Sequence, residues 1–261
     1  PKDVMLRRGK FKWIANAPLP RVSGLDISGE VIDIGSNITQ FKVGDFVYGM
    51  SNRFAGGVHS EFVSFKPNEI AIAPSSLPSN EAAAVPLAAQ TALQALKNHC
   101  TITPGQVVLI NGASGGVGHF AVQIAKILGA TVHAVCGPAN IEFVSSLGAD
   151  EVYDYSKTSL QQINHSFNAV FDVFGNMTRK QVADKLVGKA VFVTTVPTPS
   201  VILKQGLAIF GLTPSTQMVV VKSDTGQLNQ IREWIDKGML KPHIDKIYRA
   251  NEAHKAHAHV E

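Results

Sequence analysis

The stretch Asn111-Gly112-Ala113-Ser114-Gly115-Gly116-Val117-Gly118 gathers small residues at a spacing that can cradle a pyrophosphate. Within it, Ala113-x-Gly115-x-x-Gly118 is the dinucleotide fingerprint with alanine at its first small position. One small residue lets the turn tighten, the next lets backbone N–H groups approach an anion, and the last lets a helix pack closely on a strand. The chemistry also needs a helix N-terminus behind the turn, so that free N–H groups and the positive end of the dipole face the anion. Glycine at this spacing also serves ordinary strand-to-helix turns, so the flanks decide. They are correct on both sides: Val107 to Asn111 reads as a buried strand, and His119 to Leu128 as an apolar-periodic helix.

Such a turn must sit at the edge of a parallel sheet, and the chain supplies one. Strands are predicted over Val107 to Asn111, Thr131 to Cys136, Glu151 to Tyr153, Ala169 to Val173, Ala190 to Thr195 and Val219 to Val221. Helices are expected over 117–128 and 140–147, and from about Gly226 to Lys237. Near-continuous apolar strands alternating with helices are the pattern of a parallel sheet covered on both faces. The fold class is therefore α/β, a doubly wound parallel sheet, joined to a second, β-rich region.

That second region comes first in the chain. Ile27 to Ile34, Phe46 to Tyr48, Ser60 to Phe65 and Ile70 to Ala73 read as short strands, separated by turn signals at Gly35-Ser36-Asn37 and Lys42-Val43-Gly44-Asp45. After Pro74-Ser75-Ser76-Leu77-Pro78 the texture changes to an Ala-rich helix over Glu81 to Leu96, with Ser79 as a candidate N-cap. Pro242 to Tyr248 reads as extended and Asn251 to Val260 as a last helix. The resulting division is 1–80 with 240–261 for the β-rich domain and 81–239 for the dinucleotide-binding domain. Pro1 to Val4 and His257 to Glu261 read as interior sequence, so both natural ends are expected to lie beyond this stretch.

With 261 residues, 45% of them apolar, the chain can bury real cores. Its net charge of +4 is spread from Lys2 to Lys255 without a dense run, which reads as a solvated surface and not as a nucleic-acid face. Cys100 and Cys136 are its only cysteines, which excludes a disulfide framework and fits a reducing compartment, cytoplasm or organelle stroma. No window reaches the roughly eighteen apolar residues of a membrane span. Matches to the glycosylation pattern at Asn37, Asn164 and Asn176 read as chance without a secretory signal.

Several motifs, in order along the chain, resemble one family. Gly24-Leu25-Asp26-Ile27-Ser28-Gly29-Glu30-Val31, followed by Phe41-x-x-Gly44-Asp45-x-Val47-Tyr48-Gly49, is similar to the GroES-like first domain of medium-chain dehydrogenase/reductases. Ala82 to Leu93 resembles the linking helix of their zinc-free quinone oxidoreductase branch. Cys136-Gly137-x-x-Asn140 through Leu147-Gly148-Ala149-Asp150-Glu151-Val152-x-Asp154-Tyr155 resembles the chloroplast-envelope quinone oxidoreductase homologues and the NADPH-dependent alkenal/enone reductases. The likeness implies a Rossmann domain beside the GroES-like one, an active site in the cleft between them, and a homodimer.

Zinc enzymes of the superfamily carry Gly-His-Glu where this chain has Gly24-Leu25-Asp26, together with a lobe of four cysteines. With two cysteines and no histidine at that point, the resemblance implies neither a catalytic nor a structural zinc. His254, His257 and His259 fall in a terminal segment expected to front solvent. Without a Lewis acid to stabilise an alkoxide, hydride transfer suits an acceptor that already spreads negative charge, a quinone or an α,β-unsaturated carbonyl. Two other readings stay open: an NADP-binding redox sensor or interaction protein without turnover, and an enoyl-thioester reductase.

NADPH is favoured over NADH because Thr131 to Gly137 lacks the acid that bonds a ribose 2′-hydroxyl. The family usually places a base in the following loop, where this chain has Pro138 and Ala139. Asn140 and Tyr155 match positions near the adenosine phosphate and can serve as neutral donors. The fingerprint, the glycine after a parallel strand and the resemblance together assign cofactor binding to Thr91, Ala113, Ser114, Gly115, Gly116, Val117, Gly118, Gly137, Asn140, Tyr155 and Gly175. For several of these a plainer role is open. Thr91 matches a place beside the nicotinamide, yet a helical threonine can bond a preceding carbonyl. Gly175 can admit a ribose or merely turn the chain. Tyr48 is the candidate catalytic donor, or else fills the edge of the β-rich domain. Asp3 and Arg7 match a substrate-side segment or are ordinary surface charges. Cys136 reads as a buried small hydrophobe.

Overall fold

A computed structural model describes residues 2–9, 22–198, 200, 201, 203, 205, 206 and 215–261. The chain parts into two compact units: 1–87 with 222–236 and 242–261, and 88–221 with 237–241.

The first unit is built on an antiparallel sheet of β1 (Asp26–Glu30), β2 (Phe46–Met50) and β3 (Ile70–Ile72), in that order. The alternation along β2 sends Val47 to one face, where it joins Phe41 and Ile70 in a small core flanked by Ile27, Val31, Ile38, Phe65 and Ile72. Tyr48 points the other way. Besides α1 (Lys2–Arg7) and α2 (Ser79–Ala82), the unit contains α6 (Thr225–Asp236). That helix buries Leu228, Ile231 and Ile235, a stripe at helical spacing. Thr225 Oγ1 donates to the carbonyls of Pro67 and Ile70, both at 2.9 Å, and Asp236 Oδ1 accepts from Ser76 N at 3.1 Å. These bonds explain why a helix that the sequence places with the second domain groups with the first sheet. The terminal helix α7 (Ala253–Val260) belongs to the same unit.

The second unit is a six-stranded parallel sheet in the order β6-β5-β4-β7-β8-β9, the doubly wound arrangement. Its strands are β4 (Val107–Asn111), β5 (Thr131–Cys136), β6 (Glu151–Asp154), β7 (Phe167–Asp172), β8 (Leu186–Thr194) and β9 (Thr216–Met218). Helix α4 (Gly116–Ile127) follows β4, and α5 (Ile141–Ser146) follows β5. Leu109, Val135, Phe167, Val170 and Phe192 form a core on one face of the sheet.

Four local expectations change. The single helix over 81–96 is broken at Pro86, which has no N–H to give and disfavours helix at Val85 before it. Helix α2 therefore stops at Ala82, α3 (Pro86–Leu93) starts on the proline, and Gln94–His99 continues as a π-turn. Ser60 to Phe65 alternates like a strand but forms no ladder; Ser60 Oγ bonds the Phe62 carbonyl at 2.9 Å and turns the chain locally. The last parallel strand is Thr216–Met218 and not Val219 to Val221, because β8 runs out of partners at Thr194 opposite Met218. Pro242 to Tyr248 adopts no strand. No helix among the described residues is long and apolar enough to cross a membrane.

Candidate functional site

The parallel strands of the second unit end in one row. Asn111 pairs with Val135 on one side and Asp172 on the other, Cys136 pairs with Asp154, and Asp172 with Thr194. The crevice at such carboxyl ends is where doubly wound sheets take their ligands. Nearly all the residues that the sequence assigns to the cofactor, in four segments of the chain, meet along this row.

The glycine turn leaves β4 at its centre. Gly112 N and Ala113 N both donate to Val135 O, at 3.1 and 3.0 Å, and tie the turn to the neighbouring strand. Gly115 N then donates to Gly112 O at 3.2 Å, closing the turn onto itself. Gly115 caps α4 with extended backbone and offers no side-chain oxygen, so Gly116, Val117 and Gly118 begin a helix whose first N–H groups have no carbonyl within it. A Cβ on Gly118 would overlap the Gly112 carbonyl oxygen and stand 2.8 Å from Ala113 Cα. A Cβ on Gly116 would meet nothing within 4 Å. Gly118 is therefore required for packing, while Gly116 borders open space. This cradle of backbone donors fits the diphosphate of a dinucleotide.

A buried polar knot fixes the loop after β7. Asp172 is fully buried, and its Oδ1 accepts from Asn111 Nδ2 at 2.7 Å and from Gly175 N at 2.9 Å. Its Oδ2 accepts from Met177 N at 3.1 Å, while Asn111 Nδ2 also donates to Asn176 Oδ1 at 2.8 Å. Burial raises the Asp172 carboxyl above its ordinary range against the pull of these bonds. Gly175 has φ +83°, and a Cβ there would overlap Val196 Cγ2, so glycine is needed for both reasons. Phe174 lies against Gly112, whose added Cβ would stand 3.1 Å from the phenylalanine Cβ. The amino-acid sequence assigns no role to Asp172 and places Asn111 only at the head of the glycine turn; the signal for the knot is a polar side chain ending each of two apolar strands.

At the other end of the row, Asn140 N donates to Gly137 O at 3.0 Å and Tyr155 N to Cys136 O at 3.2 Å. The Tyr155 ring lies against Gly137, with its Cε1 3.4 Å from where a Cβ would be. Asp154, buried just before it, takes Ser156 N at 2.8 Å and Ser156 Oγ at 2.6 Å on Oδ1, which holds its carboxyl below the usual range. Cys136 is buried, and burial pushes its thiol up, as a packing role requires.

Thr91 lies on α3 and is buried. Tyr48 takes the packing role of the two that sequence offered, which corrects its assignment as catalytic donor. It is wholly buried in the first unit, its hydroxyl donates to Leu228 O at 2.6 Å, and burial pushes its pKa well up. Asp3 Oδ1 accepts from Gly24 N at 3.0 Å, and Arg7 pairs with Glu261, so both have structural partners. Asp26, where the zinc motif would lie, accepts Leu87 N at 2.6 Å and so caps the first turn of α3. Burial raises its carboxyl to about 7, with the charge of Asp3 adding to the shift and the Leu87 N–H opposing it.

Residues 1–75 match the alcohol dehydrogenase GroES-like domain, and residues 147–261 match the zinc-binding dehydrogenase family. The chain belongs to the medium-chain dehydrogenase/reductase superfamily. It is similar to the quinone oxidoreductase of Coxiella burnetii, with a TM-score of 0.87 and 30% identity over 100% of this chain and 82% of that one. It is 41% identical over 160 residues to the chloroplast envelope quinone oxidoreductase homolog of Arabidopsis thaliana, taking in 59% of this chain and 49% of that protein. It is 31% identical over 253 residues to the chloroplastic NADPH-dependent alkenal/one oxidoreductase of the same plant, covering 94% of this chain and 61% of that protein. The chain thus spans about half to three-fifths of the length of these plant relatives.

Proposed function

We propose that this chain carries out NADPH-dependent reduction of a quinone or an α,β-unsaturated carbonyl, without zinc. The observation that carries the reading is the row of strand ends, where a glycine turn, a bare helix N-terminus and the loops after β5, β6 and β7 converge on a site for a dinucleotide. The relatives' names supply the acceptor classes and the nicotinamide. When bound, that cofactor delivers the hydride; the protein's part is to hold the diphosphate on the N–H groups of Gly116 to Gly118 and to shape the loop bearing Gly175.

Support for a metal-free reaction comes from the donors themselves. Leu25 and Asp26 stand where histidine and glutamate would bind zinc, and Asp26 already caps α3. No three His, Cys, Asp or Glu side chains gather as a donor set among the described residues. Two buried, free cysteines and the chloroplastic relatives support a reducing compartment such as an organelle stroma.

The test is turnover. Purified protein is mixed with NADPH and a panel of quinones, enals and enones, with and without a strong zinc chelator, and loss of reduced nicotinamide is followed. Consumption that survives chelation is expected. Stabilisation by NADPH with no consumption on any acceptor would replace the enzyme reading with that of a binding protein. Activity lost to the chelator and restored by zinc would overturn the metal-free part.

A further inference from the structure

NADPH differs from NADH by a 2′-phosphate, and the loop after β5 offers that group no cation: Gly137, Pro138 and Ala139 carry none. A cation stands instead on the turn after β6, the neighbouring strand. Cys136 and Asp154 are register partners, so the two turns leave the sheet side by side. The second turn is fixed by Asp154 O, which accepts from Lys157 N at 3.0 Å and Thr158 N at 2.8 Å.

Within that turn one carboxylate oxygen is left over. Asp154 is 5% exposed, and while Ser156 satisfies its Oδ1, Oδ2 is buried with no hydrogen bond. Lys157 Nζ stands 4.0 Å from Oδ2, beyond hydrogen-bond range, and its side chain is 79% exposed. The ammonium is thus held near Asp154 by charge alone, two residues beyond Tyr155, whose ring and hydroxyl lie against Gly137.

We propose that Lys157 is the specificity residue for the 2′-phosphate, moving from the side of Asp154 onto that group, with the Tyr155 hydroxyl as its neutral partner. The proposal rests on the reading of this edge as a dinucleotide site. It supplies the base that the loop after β5 lacks, from a different strand end. It also gives Asp154 a part: without Lys157, a buried carboxylate would face a phosphate unscreened, and NADH would become the better ligand.

Calorimetric titration with NADPH, NADH and adenosine 2′,5′-bisphosphate tests this without turnover. Lys157→Gln is expected to weaken NADPH and the bisphosphate by at least about tenfold and to leave NADH unchanged. Lys157→Arg should keep most of the affinity, and Asp154→Asn added to Lys157→Gln should recover part of it. Equal losses for NADPH and NADH, or none, would overturn the role of Lys157 while leaving the dinucleotide site intact. Wild-type protein that binds NADH but not the bisphosphate would also overturn it. Wild-type protein that binds neither nucleotide would overturn the site itself.

Discussion

Asn111 Nδ2 donates to Asp172 Oδ1 across 2.7 Å, joining the end of β4 to the end of β7 where their backbones are already paired. Asp172→Ala would strand three donors, the Asn111 amide and the N–H groups of Gly175 and Met177, in a buried place. A loss of about 2–4 kcal/mol in unfolding free energy is expected, with weaker NADPH binding because the loop after β7 is released. Denaturant unfolding and calorimetry check the two effects; an unchanged midpoint would show that the knot is ornamental.

Gly115 and Gly118 should respond differently to a methyl group. A Cβ at Gly115 meets only Gly112 O at 3.5 Å, an ordinary contact, whereas one at Gly118 overlaps backbone. Gly115→Ala is therefore expected to fold with near wild-type stability and to lose NADPH affinity, because the diphosphate must approach that backbone. Gly118→Ala should lower the melting temperature with or without nucleotide. Thermal unfolding of each variant, with and without NADPH, separates them.

Tyr48→Phe removes the bond to Leu228 O and leaves that carbonyl buried. Leu228 O keeps its helical partner, so a cost of about 0.5–1.5 kcal/mol in stability is expected. Turnover per folded molecule should be unchanged, since the hydroxyl is engaged inside the first unit. A large fall in kcat at constant stability would return Tyr48 to the chemistry.

Asp26 predicts a pH dependence of stability. Unfolded, an aspartate releases its proton near pH ~4; folded, burial holds this one to about 7. Its contribution to stability is therefore full below about pH 4 and is lost as pH rises through about 7. Asp26→Asn keeps an acceptor for Leu87 N–H and removes the titration, so stability should fall less steeply between about pH 5 and about pH 8. Urea midpoints across that range give the slope, and parallel slopes for the two proteins would refute the assignment.

Much of this site is legible in the amino-acid sequence. The strand, the small-residue turn and the periodic helix around Gly115 lie close along the chain, and each carries its own physical signature, so α4 falls within one residue of its expected span. What needed three dimensions was partnership. Tyr48 reads as a donor until Leu228, 180 residues away, is found to accept its hydrogen bond. Asp172 reads as a strand end until Asn111 meets it. The break at Pro86 is visible in the residue type alone, although the alanines around it favour one continuous helix. Likewise α6 carries a correct apolar stripe, but a stripe does not say which sheet it will cover.

The polar knot at Asp172 bears on how much contact energy survives as affinity. A loop that must freeze when its ligand arrives gives up part of that energy as conformational entropy. Here the segment from Val173 to Met177 is tied by Asp172 from within the protein: Gly175 and Met177 give their N–H groups to its two oxygens, and Thr195 Oγ1 holds Val173 O at 2.9 Å. The ordering is charged to folding and not to association. Under the proposed reading a nucleotide would meet a loop already tied down by its own hydrogen bonds, and its affinity should owe little to slow closure of this loop.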